Sequence, residues 1–365
     1  MTNLDINFDT KNVISYIRMF QNCTNIKRLD LSSFETISAQ NMAGMFEDCS
    51  SLISLNIPNF KTNQITTMES MFSGCSSLTS INVHNFDTIQ VLYMNKMFAN
   101  CNSLTSLDLS RFNTKLVTNF ESMFNSCTKL VIIDFSSFSG ENIQNIYQMF
   151  KNCKSLIYLK INQFNTGSSL SKINELFGNC SSLESVDISR MDTRSVKEMK
   201  SVFEGCDNLK KIELSSIDTH SVTTFENMFS GCSALSSLDL SKFNTDFVTS
   251  TVGMFKNCKS LQYINLQNFE SELVNNFSYM FYGCSSLQSL DLSSLNTQSA
   301  QNITYMFDSC TKLQNLDLSK FYTMRCDDFT NVFNDCTELT IKVNVNYCQN
   351  LLEKIPNYIK VDFIK

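Results

Sequence analysis

The residues of this chain that could do chemistry recur at a fixed interval. Thirteen of the fifteen cysteines lie in a Phe-x-x-Cys element that starts at Phe20, Phe46, Phe72, Phe98, Phe124, Phe150, Phe177, Phe203, Phe229, Phe255, Phe281, Phe307 and Phe333. Equivalent addresses in successive repeats give parallel side-chain vectors, whereas a disulfide needs Cβ atoms turned toward each other. Zinc needs ligands converging on one point, and the sequence holds no C-x-x-C pair. The cysteines therefore read as small buried hydrophobes. Cys326, in a Val slot, and Cys348, in the C-terminal tail, do not alter that reading.

Only two histidines are present, His84 on an outward strand position and His220 in the turn after Thr219. Neither has a Ser, Cys or carboxylate at a spacing that implies a triad. Nine glycines supply no phosphate-cradling loop. No catalytic residue, cofactor or metal is assigned, and an enzyme is not expected. The most patterned polar feature is an outward column of acids, Asp30, Asp108, Asp134, Asp187, Glu213, Asp239, Asp291 and Asp317, with Asn56, Asn82, Lys160 and Asn265 in its other rows. Stacked about 5 Å apart, like charges are expected to raise one another's pKa. Such a ladder could attract divalent or basic ligands. Calcium, however, takes about six to eight converging oxygens, which a flat stripe does not supply, so a solvated sheet face is expected.

The column is interrupted in one place. The sixth unit presents Tyr158, Lys160 and Asn162; its neighbour presents Ile132, and Val131 and Ile157 adjoin. A second departure is Tyr263 with Gln267. An apolar and aromatic island beside a lone cation, on a face otherwise small and polar, reads as a protein-interaction patch. These residues, with outward His84, are the candidate partner-binding set.

The elements that position them follow from the repeat. Every step in the Phe-x-x-Cys series is 26 except one of 27, between Phe150 and Phe177, where Gly167 reads as the insertion. A fixed period of this kind marks stacked supersecondary units, none able to bury its apolar face alone. In residues 52–75, Leu55 and Ile57 alternate with Ser54, Asn56 and Pro58, which predicts a half-buried strand. Phe60 and Thr62 follow as a turn. Ile65, Met68, Met71, Phe72 and Cys75 then recur at spacings of three and four, which predicts one face of a helix. Thr66 with Glu69, Thr118 with Glu121 and Thr223 with Glu226 read as capping boxes. Phe34, Phe60, Phe86, Phe112, Phe138, Phe164, Phe243, Phe269 and Phe321 fill the turn slot, replaced elsewhere by Met191, Ile217 and Leu295. That exchange argues for packing rather than ligand stacking.

The L-x-x-L-x-L pattern resembles a leucine-rich repeat, and the longer MFYGCSSLQSLDLSSLNT of residues 280–297 resembles the BspA-like leucine-rich repeat family. That family is also known from mycoplasmal lipoprotein-associated repeats and parasite surface proteins. The fold class expected is an α/β solenoid: a leucine-rich-repeat horseshoe of about 13 strand-turn-helix units of 26 residues, its parallel sheet on the concave face. Residues 1–20 read as a partial repeat, 21–338 as the array and 339–365 as a cap over the last repeat. The resemblance implies a non-catalytic, cell-surface or secreted adhesin that binds host or neighbouring-cell proteins. No signal peptide or lipid anchor is visible, so an intracellular scaffold of the same fold is the alternative, and a cation-dependent binder is a third class. A net charge of −6 leaves no footprint for nucleic acid, and no stretch suits direct membrane insertion.

Overall fold

Where polar and apolar residues alternate most strictly, the chain makes a strand of two to five residues. The computed structural model describes residues 3–5, 9–161 and 164–364, of which 3–5 and Lys160 are described by backbone alone. The chain divides into two compact units, Met1–Asp192 and Thr193–Lys365. In the first unit β1 (Asn3–Asp5), β2 (Arg28–Asp30) and β3 (Ser54–Asn56) pair in parallel, as do β4 (Ile132–Asp134) and β5 (Tyr158–Lys160), and β6 (Ser185–Asp187) follows. The equivalent segments 80–82 and 106–108 are not strands. In the second unit, after β7 (Lys211–Glu213), β8 (Ser237–Asp239) pairs with β9 (Tyr263–Asn265). There β10 (Ser289–Leu290), β11 (Asn315–Leu318), β12 (Thr340–Asn344) and β13 (Lys360–Ile364) form one parallel sheet. Registers run straight from repeat to repeat, as in Leu29↔Leu55 and Leu238↔Ile264.

The segments expected to be helices are not helical, and this corrects the strand-turn-helix reading. Among the described residues the one α-helix is α1 (Gln349–Leu352), outside the Phe-x-x-Cys repeats. Residues 68–75 show what replaces it. The amides of Met68, Ser70, Phe72 and Gly74 donate to the carbonyls of Tyr93, Asn95, Met97 and Ala99 in the next coil, at 3.0, 3.0, 2.9 and 2.8 Å. Between them, Met71, Ser73 and Cys75 donate to carbonyls three residues back, closing turns. Two residues four apart take left-handed backbone, Ser70 at φ 53° and Gly74 at φ 72°. That is the third position of a type II turn, and it ends any right-handed helix. Two four-residue turns in succession bury positions at three- and four-residue spacing, much as a helix does, so the apolar pattern is shared while the backbone differs.

The capping boxes fail for the same reason. The amides of Glu69, Glu121 and Glu226 donate to Thr67 Oγ1, Asn119 Oδ1 and Thr224 Oγ1. The hydroxyls of Thr118 and Thr223 donate instead to Leu92 and Lys197 carbonyls one coil back. Each unit is thus a parallel β-solenoid of leucine-rich-repeat type. The thirteen Phe-x-x-Cys elements delimit about twelve turns, each one repeat period long. Parallel bridges step by 26 from Ser15 through Asn41, Thr67, Tyr93 and Asn119 to Asn145, then by 27 to Lys172. That locates the insertion around Gly167, whose φ is 66° and where an added Cβ would lie 2.1 Å from the Glu141 carbonyl oxygen.

Three columns fill the interior. The Phe-x-x-Cys rings stack nearly parallel, Phe20 through Phe177 in the first unit and Phe203 through Phe333 in the second, with centroids 5.4–5.9 Å apart. Beside them the thiols from Cys49 to Cys180 and from Cys232 to Cys336 along the repeat donate to the carbonyl of a phenylalanine one coil back, as Cys75 does to Phe46 at 3.2 Å and Cys258 to Phe229 at 3.2 Å. All fifteen cysteines are free, and all but Cys23 are buried. Burial pushes the thiols of Cys49, Cys153, Cys258 and Cys336 up to about 12, so they stay protonated and unreactive.

The third column is polar. Two residues after the turn-slot residue, a buried threonine uses its hydroxyl twice. Thr62 Oγ1 donates to the Asp87 carbonyl at 2.8 Å and accepts from the Asp87 amide at 2.7 Å. Thr36, Thr88, Thr114, Thr193 and Thr219 repeat this with Lys61, Asn113, Ser139, Asp218 and Asn244. Gly140 is the one gap, where its amide meets the Asn165 carbonyl directly at 3.2 Å.

Two expectations follow. Thr219→Val is near-isosteric but strands the half-buried Asn244 amide and carbonyl, so unfolding should become easier by about 1–2 kcal/mol, while Thr219→Ser, matching native Ser271, should cost little. Urea titration of the three proteins checks this. Under native conditions alkylation should label Cys23 alone within minutes, and the other fourteen only on unfolding, read by mass spectrometry with and without denaturant.

Candidate interaction surface

In most repeats the polar residue closing the strand position folds its side chain back onto the main chain, and this sets the character of the outward face. Asp30, Asp108, Asp134, Asp187, Asp239, Asp291 and Asp317 accept through Oδ1 from the amide two residues on, at 2.8–2.9 Å. Glu213 does so through Oε1 at 3.1 Å, and Asn82 and Asn265 serve His84 and Gln267 in the same way. A short polar side chain that mimics a turn is what this corner needs, which explains why Asp and Asn dominate the column.

The mutual raising of pKa expected for the column is outweighed where a shift is resolved. At Asp30, Asp239 and Asp291 the amide two residues on, followed by the Ser hydroxyl, holds the carboxyl below its ordinary value. At Asp108 and Asp187 the Ser hydroxyl leads and the amide follows. At Asp317 burial pushes upward, but Ser319 and Lys342 outweigh it. Hydrogen bonds to the charged form favour it, and repulsion between neighbours such as Asp291 and Asp317 is the smaller effect. Among the described residues no three His, Cys, Asp or Glu converge into a group that could hold a metal ion.

His84 lies in the turn after its segment rather than on a strand, exposed, with Nδ1 3.9 Å from Asp108 Oδ2. Gln267 is likewise an exposed turn residue. The apolar island is brought together as its register requires. Ile132 pairs with Tyr158 across β4 and β5, at 57% and 49% exposure, above the buried pair Ile133 and Leu159. Val131 and Ile157 extend it, and the Ile157 amide donates to the Val131 carbonyl at 3.1 Å. Lys160 pairs in register with Asp134 by its backbone; its side chain, and all of Asn162, lie outside the described residues. Tyr263 lies in the second unit, 60% exposed, at one side of a shallow open groove also lined by Asn265, Gln267, Ser289, Asp291 and Ser294.

The sequence reading missed polar and aromatic groups on the turn-rich segments of each unit. Lys151 pairs with Glu175, whose other oxygen accepts from Tyr147 Oη at 3.1 Å. Lys200 pairs with Glu226 at 2.6 Å, and Tyr279 stacks on Tyr305 with centroids 4.7 Å apart. Taking those segments for amphipathic helices drew attention to their buried positions alone. No helix among the described residues is long and apolar enough to cross a membrane.

The strand-end carboxylates carry a pH signature. Asp239 has a lowered pKa in the fold, so its contribution is present above the unfolded carboxylate value and lost as pH falls through the folded one. Asp239→Asn keeps the acceptor without the charge. The gap in melting temperature between wild type and this variant should therefore be positive near neutrality and close as pH drops below the carboxylate range; a gap that does not vary with pH would contradict the assignment.

The fold and sequence both have counterparts. A leucine-rich repeat protein from Bacteroides ovatus ATCC 8483 superposes with a TM-score of 0.61 at 20% identity, over 97% of this chain and 88% of that one. A leucine rich cell surface protein from Faecalibacterium prausnitzii A2-165 aligns over 96% of this chain and 82% of that one, at 17% identity and a TM-score of 0.42. No curated protein matches the sequence significantly. A family model described as "Mycoplasma protein of unknown function, DUF285" matches residues 2–81, 68–185, 171–265 and 255–353. Those four matches span nearly the whole chain, and the protein belongs to that family.

Proposed function

We propose that the protein is a non-catalytic interaction module that binds a protein partner through its outward strand face, centred on Val131, Ile132, Ile157 and Tyr158. The observation that carries this reading is the island itself: four large apolar side chains, contiguous over two repeats, all exposed on backbone fixed by a strand pair. At the Ile132 and Tyr158 position most other rows hold Ser, and folding requires none of the four, since the buried layer beneath is complete with Ile133 and Leu159. A contiguous exposed apolar patch with an aromatic at its centre is the composition of an interface hot spot. His84 in the first unit, and Tyr263 with Gln267 in the second, are further exposed candidates for partner contact.

The adhesin form of this reading, binding at a cell surface, rests on the resemblance to BspA-like repeats. The solenoid supports the interaction role by offering many side chains that the fold does not use, and it supports no catalytic one. Surface biotinylation of intact cells distinguishes the adhesin from an intracellular scaffold.

The full chain, immobilised, should retain a protein whose dissociation constant can then be measured. Ile132→Ser with Tyr158→Ser should weaken that complex by about thirtyfold or more, the loss of a hot spot of roughly 2 kcal/mol, with the melting curve nearly unchanged. Undiminished affinity would remove the island from the interface.

A further inference from the structure

The turn face of the second unit carries a cation that the strand-face reading leaves unused. Lys256 follows Phe255, as Lys151 follows Phe150, so the two lysines hold equivalent slots of the repeat. In each case the lysine reaches the left-handed residue two before the next phenylalanine. For Lys151 that residue is Glu175 and the result is an ion pair. For Lys256 it is Tyr279, and the ammonium lies 5.0 Å from that ring's centroid and 5.6 Å from that of Tyr282. Among the described residues no carboxylate stands within ion-pair distance of Lys256. One slot, one cation, and the internal carboxylate has been replaced by an aromatic wall.

The wall continues along the repeats. Tyr305 stacks on Tyr279 at an interplanar angle of 5°, and Tyr282 tilts against Tyr279 with centroids 5.8 Å apart. Lys256 and the three tyrosines are all half-buried, and the three phenol hydroxyls have no hydrogen-bond partner among the described residues. Burial, and after it Tyr305, Tyr282 and Asp308, push the Tyr279 phenol upward, so it remains a donor at neutral pH. Asp308, 4% exposed, is occupied otherwise: its Oδ1 accepts from Ser309 Oγ at 2.7 Å and Asn334 Nδ2 at 3.3 Å. The cluster thus holds a positioned ammonium and several O–H donors beside apolar ring surface, where charge-assisted hydrogen bonds strengthen.

We propose that Lys256 with Tyr279, Tyr282 and Tyr305 is a docking site for a carboxylate side chain of an acidic protein segment, supplied in trans where the first unit supplies Glu175 in cis. The repeat itself shows which group fits this lysine, and that favours a carboxylate over a sulfate. The site is separate from the strand-face island and does not depend on it.

The test is calorimetric titration of the full chain with poly-L-glutamate at low ionic strength, with dextran sulfate as counter-probe. Lys256→Met should weaken poly-L-glutamate binding at least tenfold, while Lys259→Met, an exposed lysine three residues on, should not. Tyr279→Glu rebuilds the internal pair of Lys151 and Glu175, in a backbone conformation that Glu175 already adopts at φ 57°. It should fold, melt no lower than wild type and lose binding as fully, which keeps the test decisive even if Lys256→Met proves unstable. The strand-face double substitution at Ile132 and Tyr158 should bind poly-L-glutamate as wild type does. Absent heat, equal affinity for wild type and both Lys256→Met and Tyr279→Glu, or binding of dextran sulfate alone would overturn the proposal.

Discussion

A coil this short, with only a few residues in each strand, cannot satisfy its own backbone. Its amides alternate, one closing a local turn and the next reaching a carbonyl of the following coil, as Phe72 reaches Met97 and Phe98 reaches Met123. That inter-coil bond is the constraint from which the rest follows. It sets the straight register, and the register then brings like residues into columns. Rings stack on rings, thiols meet carbonyls one coil back, and threonine hydroxyls bridge to both polar atoms of the next coil's peptide. Buried backbone groups away from water must be paired, and here every second amide finds its partner in the adjacent coil. Stability is therefore a matter of nearest neighbours.

Much of this was legible in the letters. The period, the buried cysteines, the packing role of the phenylalanines and the outward acids are all column properties, and a repeat displays columns directly. The turn-rich backbone was not read, though one signal was present. The residue before each repeat cysteine is Gly, Asn, Asp or Ser in all thirteen copies, from Asn22 and Asp48 to Ser309 and Asp335. These are the types that accept left-handed backbone or mimic a turn at least cost, and they sit where a helix would place any good helix former. Apolar spacing drowned that signal because two consecutive turns and a helix bury nearly the same positions. The paired Thr-to-peptide bonds were hidden for a different reason: a threonine in sequence does not show whether its hydroxyl faces water or a neighbouring coil.

The candidate sites were legible to different degrees. The island around Ile132 and Tyr158 breaks a polar column, and a break in a column is visible without coordinates. The acids read as a solvated stripe; each instead accepts from the amide two residues on, so their charge is already in use. The Lys256 cluster could be seen only by comparing what stands opposite equivalent lysines, which requires knowing the register between coils. In both surfaces the departure from the repeat, rather than the repeat, marks the place where the side chains are not needed for folding.

Backbone chemical shifts across Met68–Cys75, measured by amide-resolved NMR on the full chain, test the central claim most directly. Left-handed values at Ser70 and Gly74, separated by non-helical neighbours, are the result this account predicts. An unbroken run of helical shifts through the segment would contradict it, and with it the inter-coil ladder on which every column depends.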